Sequence, residues 1–252
     1  MSHDFLSLAR RLERAQALQN ERFNQASGGR SLPVGGGFAH FRGEGHPLNQ
    51  ALGLIEPVTD AELAAVEAFL GVPTVLELSP AADPPLWSLL AERGYRLQQF
   101  QQLWVRSSPF AEAVFPSTRI RIAAAAEADV FNQVVCAGFL ERDDWRDLDP
   151  PFKVSLEVPE AWGFIAFVDD EPAGGGMLGI VDGVALLSGD GVIPSFRGRG
   201  LQKALIQSRL CFAADRGCDL ACASTAPGTA SQRSYEANGF HAAYPKVEMA
   251  RG

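Results

Sequence analysis

No run of this 252-residue chain approaches 18 uninterrupted apolar side chains, so the sequence offers no candidate for a membrane-spanning helix. Residues 1–24 are polar and amphipathic and lack the apolar centre of a secretory signal, so no export signal is expected there. Positive charge is also short. Lys and Arg total 22 against 30 Asp and Glu, a net charge of −8, which argues against a general nucleic-acid binder. Cysteine is scarce, with four residues at 136, 211, 218 and 222. Cys218 and Cys222 fall in an expected buried strand, with no histidine or second thiol pair placed to complete a metal site. They read as small structural hydrophobes, which suits a reducing cytoplasm.

What is present is ordinary in bulk and specific in one place. The composition, 46% hydrophobic and 21% charged, is that of a globular protein, and the length suits two small domains or one large one. The specific place runs from Val192 through Ile193-Pro194-Ser195-Phe196-Arg197-Gly198-Arg199-Gly200-Leu201-Gln202-Lys203 to Ile206. It reads as a strand ended by proline, a basic glycine loop and the start of an amphipathic helix. Glycine lets backbone approach a ligand closely, and a first helical turn offers unpaired N–H groups to an anion. Arg197 and Arg199 add positive charge to an otherwise acidic chain, so a phosphate group is the expected guest.

Two familiar phosphate loops do not fit. A dinucleotide fingerprint needs a third glycine where Lys203 stands, and a nucleotide P-loop needs Gly-Lys-Ser/Thr, which is absent. The run instead resembles the acyl-CoA loop of the GCN5-related N-acetyltransferases, Arg/Gln-x-x-Gly-x-Gly/Ala. Arg197 and Gly200 match that pattern, and Gln202 stands where Gly or Ala is usual. A solvated strand-to-helix turn is the plainer alternative, against which the longer run with Pro194, Phe196, Leu201, Ala204 and Leu205 weighs.

The second half has a readable order. Strands are expected at 119–123, 162–168, 174–181 and 184–192, with turns at Asp169-Asp170-Glu171-Pro172 and Asp182-Gly183. Helices are expected at 126–139 and 198–216, the latter burying Leu201, Ala204, Leu205, Ser208, Cys211 and Phe212. A strand at 218–224, a short helix ending at Asn238-Gly239 and a strand from Phe240 follow. The resemblance implies an α/β (α+β) domain of the acyl-CoA N-acyltransferase fold, a mixed, mostly antiparallel sheet flanked by helices.

The first half ends alike. A helix at 84–93 leads through Gly94-Tyr95 into an apolar strand, and Leu54-Ile55-Glu56-Pro57 precedes a helix at 60–70. Asp60 and Glu62 suit a helix N-terminus but would repel a pyrophosphate. A long helix is expected over 3–25. Gly35-Gly36-Gly37 reads as a turn or strand bulge, since no helix follows it. The expected organisation is therefore two tandem copies, a degenerate half at 1–112 and a catalytic half at 117–252, joined across Ser107–Ser117; one continuous domain is the alternative.

The resemblance also implies roles. Acetyl-CoA would be the co-substrate, with no metal. Its pyrophosphate would meet Arg197, Gly198, Arg199, Gly200, Leu201 and Gln202, and its pantetheine arm the backbone of Val192 and Ile193. Tyr235 falls on the tyrosine that protonates the leaving thiolate, although a packed core tyrosine is the other reading. Ser231 and Thr225 border the same cleft, as a cap and a strand-end hydroxyl or as cofactor contacts, while Gly228 replaces a frequent asparagine. No general base stands out among Asp190, Glu141, Asp143, Asp144 and the four histidines.

The expected activity is transfer of an acetyl group to a primary amine, on a small molecule or peptide, in a ternary complex. An acyltransferase with another acyl group or a hydroxyl acceptor, and an acyl-CoA-binding regulator without turnover, are the alternatives. Neither nucleic acid nor membrane is expected as a partner, the location is cytoplasmic, and a monomer or homodimer is expected.

Overall fold

A computed structural model describes residues 3–110, 119–150 and 153–252, so the expected joint lies outside the described residues from 111 onward. The chain divides into two compact units, Met1–Leu103 with Ala242–Gly252, and Trp104–His241. No helix among the described residues is long and apolar enough to cross a membrane. No disulfide joins the four cysteines.

The first unit opens with α1 (His3–Ala26), then the strands β1 (Arg30–Val34), β2 (Gly37–Phe41) and β3 (Gln50–Leu52). Helix α2 (Asp60–Leu70), strand β4 (Thr74–Leu78), helix α3 (Pro84–Glu92) and strand β5 (Arg96–Ser107) follow. Gly35 and Gly36 have positive φ, +54° and +80°, and form the β1–β2 turn, as their run suggested. β2 pairs antiparallel with β1 and β3, and β3 runs parallel to β4. The other side of β4 is covered by the last strand of the chain, β11 (His241–Arg251), whose Val247 to Arg251 pair with Leu78 to Thr74. Leu63, Val66 and Leu70 of α2 and Leu86 and Leu90 of α3 pack with Leu76 and Leu78 into one core. Each such leucine stabilises by about 1.5–3 kcal/mol on burial.

The second unit receives the end of β5 and continues with β6 (Arg119–Ile122), α4 (Ala128–Phe139), β7 (Ala161–Val168), β8 (Glu171–Val181) and β9 (Val184–Val192). Helix α5 (Leu201–Ala214), strand β10 (Leu220–Thr225) and helix α6 (Ala230–Ala237) complete it. β6 to β9 form antiparallel neighbours, and β10 runs parallel to β9. The sheet is covered on both faces. A Cβ on Gly175 would meet Val135 of α4 at 2.9 Å, whereas one on the next residue, Gly176, would meet Arg209 of α5 at 2.8 Å. Alternating strand residues face opposite sides, so the two helices lie on opposite faces.

Three expectations change. The β7–β8 turn is only Asp169-Asp170, at φ +48° and +61°, and Glu171-Pro172 already belongs to β8. A register shift between Ala166 and Phe167 accommodates the proline that cannot donate to the ladder. Helix α5 starts at Leu201 and not 198, because Gly198 and Gly200 both sit at φ +77°. Its buried face is Leu201, Ala204, Leu205, Ile206, Arg209, Leu210 and Ala213, while Ser208, Cys211 and Phe212 are only partly covered. An arginine inside the apolar stripe rotated the expected face.

Candidate active site

The site grows from an irregularity in β9. Gly175 pairs with Gly191 and Met177 with Ser188, so Gly176 faces two residues, Gly189 and Asp190. This is a β-bulge, and Gly189 takes φ +62° within it. Pairing between β9 and β10 covers only Val184 to Leu186 with Leu220 to Cys222. Beyond those residues both strands continue without a register pair between them. Ile193 donates its N–H to the Ala173 carbonyl at 3.0 Å. By the alternation of an antiparallel ladder, the Val192 N–H then points to the β10 side, beyond the last register pair of those two strands.

Helix α4 presses on this strand end. A Cβ on Gly138 would lie 2.6 Å from the Val192 nitrogen, and one on Gly191 would lie 2.4 Å from the Val135 carbonyl oxygen. Both contacts are with backbone, so neither glycine can grow without moving the helix off the strand. Ile193 is fully buried against Val134, Ala137, Trp145 and Leu148, which fixes where β9 ends.

From there the chain turns through Pro194–Phe196 to Arg197 and the two glycines. Left-handed Gly200 is the cap of α5, with no side-chain capping bond. The backbone N–H groups from Gly198 to Lys203 have no acceptor among the described residues. A Cβ at Gly198 or Gly200 would meet nothing within 4 Å, so the face above these donors is open. Leu201 is buried and contributes only backbone here; Gln202 is half-buried. Arg199 is exposed, its guanidinium 5.5 Å over the Phe196 ring.

Arg197 is placed differently from Arg199. Its Nε donates to the Val192 carbonyl at 3.1 Å, and its Nη2 to the Gly138 carbonyl at 2.9 Å. The outer edge of the fork pairs with both oxygens of Glu141, and that ion pair lowers the Glu141 pKa. Asp143 accepts from the Ser195 N–H at 2.8 Å. Two acids of the charged loop after α4 therefore tie down the turn. Asp144 pairs with Arg142.

Behind the bulge lies a buried polar set that the sequence did not announce. Asp190 accepts from the Tyr235 hydroxyl on one oxygen and from Arg209 on the other. Tyr235 is 1% exposed, Arg209 is fully buried, and the Asp190 side chain is 8% exposed. Burial, then the Asp190 charge, raises the Tyr235 pKa well above its usual value, with Arg209 opposing. The phenol stays protonated, and its proton is directed at the carboxylate. The ring packs edge-on against Phe240 at 5.0 Å.

Thr225, at the end of β10, is buried and accepts from Trp104 Nε1 at 2.9 Å. The cap of α6 is Thr229, which accepts from the Gln232 N–H at 3.3 Å, and Ser231 is left half-buried in the first turn. The structure thus groups Val192, Ile193, Arg197 to Gln202 and, across Asp190, Tyr235. Arg209 is the missed residue. Its signal was present, since it stands four and eight residues after Leu205 and Leu201 in an otherwise apolar stripe. No group of three or more His, Cys, Asp or Glu among the described residues is placed to hold a metal ion.

Comparison with known proteins agrees with this architecture. Residues 130–240 match the family described as Acetyltransferase (GNAT) family. No curated protein sequence matches the chain. A GCN5-related N-acetyltransferase from Kribbella flavida is similar in structure, with TM-score 0.67 and 20% identity over 96% of this chain and 95% of that one. A tandem GNAT protein from the clavulanic acid biosynthesis pathway has TM-score 0.60 and 15% identity over 87% of this chain and 80% of its own. A GNAT-family acetyltransferase from Colwellia psychrerythraea has TM-score 0.54 and 18% identity over 88% and 82%. The likeness to these solved structures shows the acyl-CoA N-acyltransferase fold, and residues 130–240 match the GNAT family.

Proposed function

We propose that this protein is an acyl-CoA-dependent N-acetyltransferase that moves an acetyl group from acetyl-CoA to a primary amine while both are bound. The observation that supports this best is the run of unpartnered N–H groups from Gly198 to Lys203 on an open face, following directly on a bulged strand whose pairing with β10 has ended. Those donors, with Arg199 beside them, suit a pyrophosphate, and charge-assisted bonds of this kind are stronger than neutral ones. Arg197 serves the same loop by holding Val192, Gly138 and Glu141 in register. The Val192 N–H is the donor that polarises the thioester carbonyl. Thr225 and Ser231 flank the pantetheine arm.

Attack by the neutral amine on the thioester carbonyl displaces the thiolate, the proton that the acylated nitrogen loses passes to solvent, and no covalent enzyme intermediate is needed when both substrates are held together. Tyr235 is the donor of the proton to the departing sulfur, drawing on a phenol that burial keeps protonated. The first unit is a degenerate copy of the same fold. It repeats the parallel pair around a helix, with β3 and β4 enclosing α2 as β9 and β10 enclose α5. The acceptor is a small-molecule or peptide amine.

One observation favours a second reading, an acyl-CoA-binding protein without turnover. The Tyr235 proton is already engaged by Asp190 inside the core. Purified protein incubated with acetyl-CoA and a panel of amines, amino acids and peptides separates the two. Thiol release that requires an amine, with no burst in its absence, is the expected result. CoA binding without release in any mixture would establish the second reading.

A further inference from the structure

The bulge in β9 breaks the ladder between β8 and β9, and a bulge leaves backbone groups without ladder partners. Met177 and Ser188 are the register pair next to it. Arg209 reaches from α5 and donates Nη1 to both of their carbonyls, at 2.8 Å and 3.3 Å. Its Nε donates to the Leu205 carbonyl at 3.1 Å, and its Nη2 pairs with Asp190 inside the bulge. The space for this fork exists because residue 176 is glycine. A Cβ there would stand 2.8 Å from the guanidinium carbon and 2.9 Å from the Asp190 carboxylate.

One buried guanidinium therefore joins the helix whose first turn is the anion site to the irregular strand that ends at Val192. Through Asp190 it also reaches Tyr235 of α6. A stabilising ion pair needs only the Asp190 contact. The two carbonyls flanking the bulge are a different matter, since they fix the strand's departure from the ladder. A planar fork can reach two carbonyls and a carboxylate at once, which a lysine ammonium cannot do in the same geometry.

We propose that Arg209 is a positioning residue for acyl transfer, holding the β9 bulge so that the Val192 N–H and Tyr235 keep a fixed geometry around the thioester. The proposal rests on the acyltransferase reading given above. It acts on kcat and leaves the phosphate end of α5 alone, because a small misplacement at a reacting centre costs far more rate than binding.

The full chain is tested in three forms: wild type, Arg209→Lys, and the charge-free pair Arg209→Met with Asp190→Asn. The pair leaves no buried ion uncompensated, which keeps it foldable where Arg209→Met alone would strand a carboxylate. With acetyl-CoA and an accepted amine, the double variant should lose at least about 30-fold in kcat, and Arg209→Lys a smaller factor. KM for acetyl-CoA and the calorimetric Kd for CoA should stay within about threefold. Folded variants with unchanged kcat, or with kcat and CoA affinity falling together, would overturn the proposal. So would loss of fold in both variants, which would reduce Arg209 to a stabilising ion. A wild type with no turnover on any amine would overturn the acyltransferase reading and this proposal together, whereas an active wild type beside unaffected variants overturns this proposal alone.

Discussion

Helices α2 and α5 each stand between two parallel strands, yet they begin in opposite ways. At α2, Thr59 accepts from the Glu62 N–H at 3.2 Å and Glu62 returns a bond to the Thr59 N–H at 2.8 Å, a reciprocal capping box. Asp60 adds a second acid, and Arg93 closes over it. At α5 the cap is a left-handed glycine with no side-chain acceptor, and no acid stands in the first turn. The first end has a side-chain cap on one helix N–H and carries two acids. The second keeps its donors open and positive. Acids and caps of the kind seen at α2 would repel the anion that the end of α5 is proposed to hold.

The comparison breaks most sharply if α5 is given the chemistry of α2. Arg199→Asp with Gln202→Glu places acids where the pyrophosphate is proposed to lie. Both positions are at least partly exposed, so the fold should persist while CoA affinity falls on the order of 10³-fold, from charge reversal and loss of charge-assisted bonds. Calorimetry on the folded variant checks this, and an unaltered Kd would remove the anion site from α5.

A second contrast lies in how each unit treats a buried ionisable group. In the first unit His40 is 2% exposed, and its pKa falls to about 4, chiefly through burial, with Glu21 partly opposing. A depressed histidine contributes stability that is complete above the unfolded value near 6.5 and is lost as pH falls through 4. Denaturant melts should show up to about 3 kcal/mol of loss across that window. His40→Gln should flatten this part of the profile, and a slope that survives the substitution would assign it elsewhere.

In the second unit, Tyr235→Phe should leave CoA binding nearly intact and reduce turnover by about 10²-fold, within the usual range for a general acid. An acyl donor with a more acidic leaving thiol should recover part of that loss if Tyr235 delivers the proton. A loss of equal size with every donor would mean that the hydroxyl serves only to hold Asp190. The smallest effect is expected at the α2 cap. Thr59→Ala removes one bond of the α2 box and should cost about 0.5–2 kcal/mol with no change in CoA affinity.

The loop and the order of elements were legible because each has a local cause. Gly198 and Gly200 adopt the positive φ that only glycine tolerates freely, and Asp182-Gly183 forms the tight hairpin its residues favour. Tyr235 and the strand end at Val192 could be named from the motif, but their partners could not. Arg209, Asp190 and Gly176 meet across a helix and two strands, at separations that no sequence window spans. The Arg197 ion pair with Glu141 bridges 56 positions for the same reason. Arginine in an apolar stripe and glycine in a strand were visible as departures from pattern. What each departure accommodated required the packed structure.

One unit is proposed to keep an open anion site at α5, and the other to have closed its own at α2. An equilibrium titration of the intact chain with CoA tests it most directly. Saturation is expected at one CoA per chain, abolished by Arg199→Asp with Gln202→Glu and untouched by Thr59→Ala. Saturation at two, with the second site lost on changes around Asp60 and Glu62, would contradict it.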